Sequence, residues 1–274
     1  MKLACADLAY GYGAHRVGAG VSLSVGAGEV VCLLGPNGGG KTTLFKTLLG
    51  LIAPLGGRVT VDGADIASLA RAQVARAVAY VPQAAAGYFP FSVREVVLMG
   101  RAAHLGAFAG PSARDREIAD DAISRVGIGL LADADFTRIS GGERQLALIA
   151  RALAQAAPVI VLDEPTANLD FGNQTRVVAE IRRLAAGGAG ILWATHAPDH
   201  ALSFADRAAL VAPGGLAAYG PVAQVLTGAA LGALYGVEVE IVTLAGGQRV
   251  CVPGLAGTLE PKRATLIERD NHAV

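Results

Sequence analysis

The chain has 274 residues, of which 53% are hydrophobic and 17% charged, with 23 Lys+Arg balancing 23 Asp+Glu. That length suits one large or two small domains, and that apolarity excludes a disordered chain. Zero formal net charge excludes the broad basic face that duplex nucleic acid favours. No run of about 18 apolar residues is free of charge or turn signals, so no bilayer-spanning helix is expected. A single Lys2 followed by a strand-like pattern does not read as a secretory leader. Cys5, Cys32 and Cys251 are odd in number and far apart, as expected of reduced packing residues in a cytosolic protein.

Alternation predicts antiparallel strands over Lys2–Leu8 and Val21–Val25. After the turn Gly26-Ala-Gly28 comes a continuous apolar run, Val30–Leu34, the pattern of a strand buried on both faces. A Gly-rich loop leads into a helix over Lys41–Leu51. Strands follow at Val59–Val61 and Val78–Val81, with a helix over Ala67–Ala77 between them. From about Ala84 to Ala157 strand patterns disappear, and helices are expected over Val93–Gly100, Arg114–Val126 and Glu143–Ala156. The strand–helix rhythm then resumes with strand Val159–Leu162, helix Asn173–Leu184 and strands Ile191–Ala194 and Ala208–Val211. The expected fold is α/β: a mostly parallel sheet with N-terminal antiparallel strands and an inserted helical subdomain. A hairpin over Val237–Val252, turning at Ala245-Gly246-Gly247, and a polar tail Lys262–Val274 complete the chain. Residues 1–236 then form one unit, with the helical subdomain at about 84–157, and 237–274 a small extension.

Three segments carry chemistry. Gly35-Pro36-Asn37-Gly38-Gly39-Gly40-Lys41-Thr42, followed by Thr43, matches G-x-x-x-x-G-K-[ST] between a buried strand and a helix. Glycines there let successive backbone N–H groups converge on an anion at a helix N-terminus. Lys41 can reach the outer phosphates of a nucleotide, and the Thr42 hydroxyl can bind Mg²⁺. Strand Val159–Leu162 runs into Asp163-Glu164-Pro165 on the same sheet edge, with Asp163 suited to a metal ion and Glu164 to polarising water. Ser140-Gly141-Gly142-Glu143 opens a helix, with Ser140 as N-cap and the glycines baring its first amides.

In this order the motifs resemble those of the nucleotide-binding subunits of ABC transporters, over roughly Leu3–Val225. The family's LSGGQ signature appears as Ile139-Ser140-Gly141-Gly142-Glu143. The resemblance implies that Tyr12, rather than Tyr10, stacks on adenine, and that Gln83 reaches Mg²⁺ and the attacking water. It also implies that Ala167–Asp170 lies at a dimer interface and that His196 contacts the γ-phosphate. Glu164, His196 and Gln83 are then catalytic, ATP and Mg²⁺ the cofactors, and Thr42, Gln83 and Asp163 the metal ligands. A head-to-tail homodimer follows, each ATP lying between the phosphate loop of one copy and Ser140–Gly142 of the other. His104 and His200 read as structural. Tyr88, Phe89, Phe91 and Val93 form either a groove for a short helix of a membrane permease or part of the subdomain's own core.

Val96–Arg101 with His104-Leu105, Phe136–Gln145 and Pro165–Gln174 resemble the metal-chelate importers. An iron–siderophore or haem importer ATPase, peripheral at the cytoplasmic face of the membrane and served by a substrate-binding protein, is therefore expected. Molybdate and cobalamin importers share the pattern. An exporter ATPase is disfavoured by those segments, and a nucleic-acid-directed ABC ATPase by the absence of a second cassette or basic face.

Overall fold

A computed structural model describes residues 1–83, 89–106, 109–167 and 169–254. In chain order come β1 (Leu3–Tyr12), β2 (His15–Val25), β3 (Val30–Leu34), α1 (Lys41–Leu48), β4 (Gly56–Val61), β5 (Ala64–Asp65), α2 (Arg71–Ala77) and β6 (Val78–Val81). Next are α3 (Val93–Leu98), α4 (Ala113–Arg125), α5 (Gly141–Gln155), β7 (Val159–Asp163), α6 (Phe171–Ala186), β8 (Gly190–Thr195) and α7 (Pro198–Phe204). β9 (Arg207–Ala212), β10 (Gly214–Pro221), α8 (Val222–Val225), α9 (Gly228–Tyr235), β11 (Val239–Thr243) and β12 (Arg249–Pro253) follow. One ten-stranded sheet runs β5-β4-β1-β2-β10-β9-β3-β8-β7-β6, and β11–β12 form a separate hairpin. Strands β9, β3, β8, β7 and β6 are mutually parallel, whereas β1, β2, β4 and β5 pair antiparallel.

Strand parity explains the continuous apolar runs. In β3, Val30, Cys32 and Leu34 face a core shared with α3–α6, while Val31 and Leu33 face one shared with α1. Both faces are covered, so no position needs a polar residue. The antiparallel strands curl over α1, whose Leu44, Phe45 and Leu48 are buried with Leu3, Leu8 and Tyr10. Cys5 and Cys32 are buried free thiols, and burial pushes both up, Cys5 to about 11.

Among the described residues the helical insertion shares the core of the sheet. Val93, Ala119, Ile123 and Phe136 pack in one continuous cluster with Ile160 and Trp193 of the sheet, bridged by Leu146 and Ile149 of α5. Buried Arg101 locks the arrangement, its Nε donating to Asp115 Oδ1 (2.9 Å) and its Nη1 to the Ala154 carbonyl (2.9 Å). Hydrogen bonds from Ser112 and Arg101 hold the Asp115 carboxyl well below the usual range. Arg125 of α4 pairs with buried Glu180 of α6.

Several expectations need correction. The helix expected over Ala67–Ala77 is broken: a 3₁₀ turn spans Ile66–Ser68, Leu69 and Ala70 are extended, and α2 starts at Arg71. Side-chain bonds cause the break, since Asp65 accepts from the Ala67 amide and Gln73 from the Ala70 amide. The Lys41 helix ends at Leu48 rather than Leu51, because amides 49–52 turn back on the carbonyls of Phe45, Lys46 and Thr47. The sequence pattern predicts no element where β10, α7 and α9 lie.

Gly100 packs against α5 so closely that an added Cβ would lie 2.2 Å from the Arg151 carbonyl oxygen. Gly100→Ala should therefore prise the 3₁₀ turn Met99–His104 off α5 and lower stability by about 1–3 kcal/mol. The urea unfolding midpoint measures this, and an unchanged midpoint would refute the close approach.

Candidate active site

The phosphate loop is shaped by backbone contacts that only glycine permits. A Cβ at Gly35 would meet the Val211 carbonyl oxygen at 2.2 Å. Gly40 is left-handed (φ 91°), and a Cβ there would meet Val17 Cγ1 at 2.6 Å. The loop thus folds tightly over β9 and β2 and opens α1 without a side-chain cap. A cleft of about 480 Å³ lies over it, lined by Val17, Asn37, Gly38, Gly39, Gly40, Lys41, Thr42, Thr43, Gln83 and Glu164. The Lys41 ammonium is buried there, donating to the carbonyls of Gly35 (2.7 Å) and Pro36 (3.1 Å).

Strand parity carries the two acids to opposite tasks. Asp163 shares the α1-facing parity of Val159 and Val161 in β7, and there the Thr42 hydroxyl donates to its Oδ2 (2.7 Å). Tyr80 of β6, on the same face, directs its hydroxyl at that oxygen (3.4 Å). Burial raises the Asp163 carboxyl, the Thr42 bond opposing it. Burial and the Asp163 charge push the Tyr80 phenol upward as well.

Glu164 is a non-glycine residue in the left-handed region (φ 50°), held by its amide donating to the Ala194 carbonyl (3.0 Å). Such a backbone turns the side chain out of the strand and into the cleft. The carboxylate is a hub: Oε1 lies 3.5 Å from Lys41 Nζ, and Oε2 accepts from Gln83 Nε2 (3.0 Å) and sits 3.2 Å from His196 Nδ1. His196 follows β8, and its turn is fixed by the Ala197 amide donating to Thr195 Oγ1 (3.1 Å). His200 stacks on Trp193 (5.1 Å between centroids).

Residues far apart in sequence therefore converge in two bonded sets on neighbouring residues: Thr42 with Asp163, and Lys41, Gln83 and His196 around Glu164. Ser140, Gly141, Gly142 and Glu143 do not line this cleft. Ser140 and Glu143 form a reciprocal capping box, the Ser140 amide donating to Glu143 Oε2 (2.7 Å) and the Glu143 amide to Ser140 Oγ (3.2 Å). Hydrogen bonds from the Ser140 amide and hydroxyl hold the Glu143 carboxyl below its ordinary range. Ser140 and Gly141 are exposed, so the start of α5 offers its amides outward. Tyr12 stands at the end of β1, half exposed at 51%, whereas Tyr10 is fully buried against the loop. Val17 and Tyr80 belong to no sequence motif. Alternation along β6 could have placed Tyr80 beside Asp163, but nothing marks Val17.

Phe89 and Phe91 are exposed, their centroids 6.0 Å apart, while Val93 is in the core. Phe91, Leu98, Met99, Leu105 and Pro111 line an apolar cavity of about 310 Å³. Tyr88 and Asn168 lie outside the described residues. Among the described residues no helix is long and apolar enough to cross a membrane, and no cluster of three His, Cys, Asp or Glu forms a metal centre.

Residues 19–167 match the family model described as ABC transporter. An uncharacterized ABC transporter ATP-binding protein of Haemophilus influenzae is 40% identical over 77% of this chain and 80% of its own length. A hemin import ATP-binding protein of Thermobifida fusca is 40% identical over 88% of this chain and 84% of its own. A cobalamin import ATP-binding protein of Halobacterium salinarum is 42% identical over 81% of this chain, which spans only 56% of that relative. Among solved structures, a metal-chelate type ABC transporter in an inward-facing conformation superposes with a TM-score of 0.81 and 30% identity, covering 94% of this chain and 99% of that one.

Proposed function

The chain belongs to the ABC transporter family as an ATP-binding, ATP-hydrolysing subunit, and from that premise we propose that it powers import of an iron chelate through a membrane permease. The observation that carries the chemistry is the Glu164 hub. One carboxylate is shared by Lys41, Gln83 and His196 at the floor of a cleft whose wall is the phosphate loop.

In this reading the loop amides and Lys41 hold the β- and γ-phosphates of ATP, and Tyr12 stacks on the adenine. Glu164 orients the attacking water and takes up its proton, and Gln83 and His196 fix the rotamer of Glu164. Thr42 and Asp163 present hydroxyl and carboxylate oxygens held together, and the Asp163 charge is disfavoured by burial. Such an oxygen pair fits a hard cation, and Thr42, Asp163 and the Gln83 amide oxygen would hold Mg²⁺. When bound, the ion neutralises phosphate charge.

The exposed Ser140-Gly141 pair at the start of α5, outside the lining of its own cleft, supports a head-to-tail homodimer in which each copy completes the other's site. Exposed Phe171, next to Asp170, supports an interface at residues 167–170. The apolar cavity beside Phe91 supports docking of a short permease helix, which would keep the chain at the cytoplasmic membrane face. The names of the relatives favour haem or another iron chelate as cargo. Deleting the gene should abolish uptake of labelled haem or iron–siderophore and spare cobalamin and molybdate. Loss of cobalamin uptake alone would reassign the cargo.

Tyr12→Ala should weaken ATP binding by about 1–3 kcal/mol, the worth of one stacked base, and leave kcat nearly unchanged. Fluorescent-nucleotide titration measures it, and undiminished affinity would remove Tyr12 from the adenine site.

A further inference from the structure

The turn that carries His196 is gripped from outside by the C-terminal part of the chain. Tyr235, the last residue of α9, directs its hydroxyl at the His196 carbonyl oxygen (3.4 Å). The Cys251 amide of β12 donates to Asp199 Oδ1 (2.7 Å) in the first turn of α7. These contacts flank the link between β8 and α7, one at His196 within it and the other at Asp199 just beyond it. The grip has a firm base. Leu231 of α9 is fully buried in the main core, Thr227 caps α9 through the Ala230 amide (3.1 Å), and Arg249 of β12 donates to the Leu226 carbonyl (3.3 Å). Gly236, left-handed at φ 72°, ends the helix directly after Tyr235 and turns the chain toward the hairpin. Burial pushes the Tyr235 phenol up to about 12, so its hydroxyl remains a donor at neutral pH.

We propose that Tyr235 and Asp199 are positioning residues for ATP hydrolysis: the C-terminal helix and hairpin hold the His196 turn so that its imidazole meets Glu164. Neither side chain touches the reacting atoms; both act through the backbone that presents His196. The inference rests on the assignment of Glu164 and His196 above. It gives residues 228–254 a role in turnover, and makes the β11–β12 hairpin part of the catalytic unit.

Tyr235→Phe removes the hydroxyl and keeps the ring packed on the core. In the full-length chain it should lower kcat about 3- to 10-fold, the effect of one hydrogen bond, with KM for ATP within about twofold of the parent. The thermal midpoint should not move. Asp199→Ala should lower kcat similarly, and Asp199→Asn, which keeps an acceptor oxygen, should restore most of it. A Tyr235→Phe variant with unchanged kcat, or one whose loss tracks a lower thermal midpoint, overturns the proposal. So does an Asp199→Asn variant as slow as Asp199→Ala. Glu164→Gln in the same assay separates the two readings. If it is inactive while Tyr235→Phe turns over normally, only the positioning role fails; if it hydrolyses ATP normally, the ATPase assignment fails first.

Discussion

Glu164→Gln is expected to lower steady-state ATP hydrolysis by about 10²- to 10⁴-fold, the range for loss of a positioned general base, without loss of ATP affinity. The change is nearly isosteric. A Gln side chain at this position can still accept from Gln83 Nε2, so the hub keeps its shape. What it loses is the negative charge that faces Lys41 at 3.5 Å and the capacity to take a proton. Removing that charge frees Lys41 for phosphate, so nucleotide should bind at least as well. If ATP bridges two copies, failure to hydrolyse it should trap them together. Light scattering with MgATP should then show a stable dimer that the parent forms only transiently. Full turnover by the variant would remove Glu164 from catalysis. A variant that is inactive but strictly monomeric with ATP would keep Glu164 and reject the shared-site dimer.

What could be read in advance divides along physical lines. β3, β7 and β8 were legible because they are covered on both faces, and such strands read as unbroken apolar runs whatever lies far away in the chain. The phosphate loop was legible because its determinants are contiguous: Gly35 and Gly40 bracket one turn, and Lys41 and Thr42 begin one helix. β10 was not legible. Gly214-Gly215-Leu-Ala-Ala-Tyr-Gly220-Pro221 has poor strand propensity, and it is extended because β2 and β9 pair with it from either side. α9 was hidden for a similar reason, since Gly228 and Gly232 weaken its local signal while buried Leu231 anchors it through tertiary contact. α7 did carry a local sign that could have been used, Pro198 at its first position. The Glu164 hub was only partly legible. The resemblance brings Gln83, Glu164 and His196 to one nucleotide, but the left-handed turn that lets a single carboxylate meet all its partners is a backbone fact. The contacts of Tyr235 and Cys251 with the His196 turn cross 39 and 52 positions, and no local pattern reports them.

Lys41→Ala should weaken ATP binding at least about 10-fold, since hydrogen bonds from a charged donor contribute ~1.5–3 kcal/mol, and hydrolysis should fall with it. The buried ammonium has three partners in the cleft: the Gly35 and Pro36 carbonyls and the Glu164 carboxylate. Its removal takes a donor from both carbonyls and leaves an acid, 8% exposed in its side chain, without its nearest cation. That acid then repels the phosphate it should serve. Arg is no substitute, because a planar fork delivers its charge over a wider front than a cleft walled by Gly38–Gly40 accommodates. The expected order of ATP affinity is therefore Glu164→Gln at or above the parent, then Lys41→Arg, then Lys41→Ala. Calorimetric titration with ATP ranks them independently of turnover. The order matters more than either value, because it separates two ways of losing hydrolysis at one hub. Charge removed from Glu164 spares binding; charge removed from Lys41 weakens it. If Lys41→Ala bound ATP as tightly as the parent, the ammonium would be a brace for the loop carbonyls alone, and phosphate recognition would fall to the loop amides and the helix start.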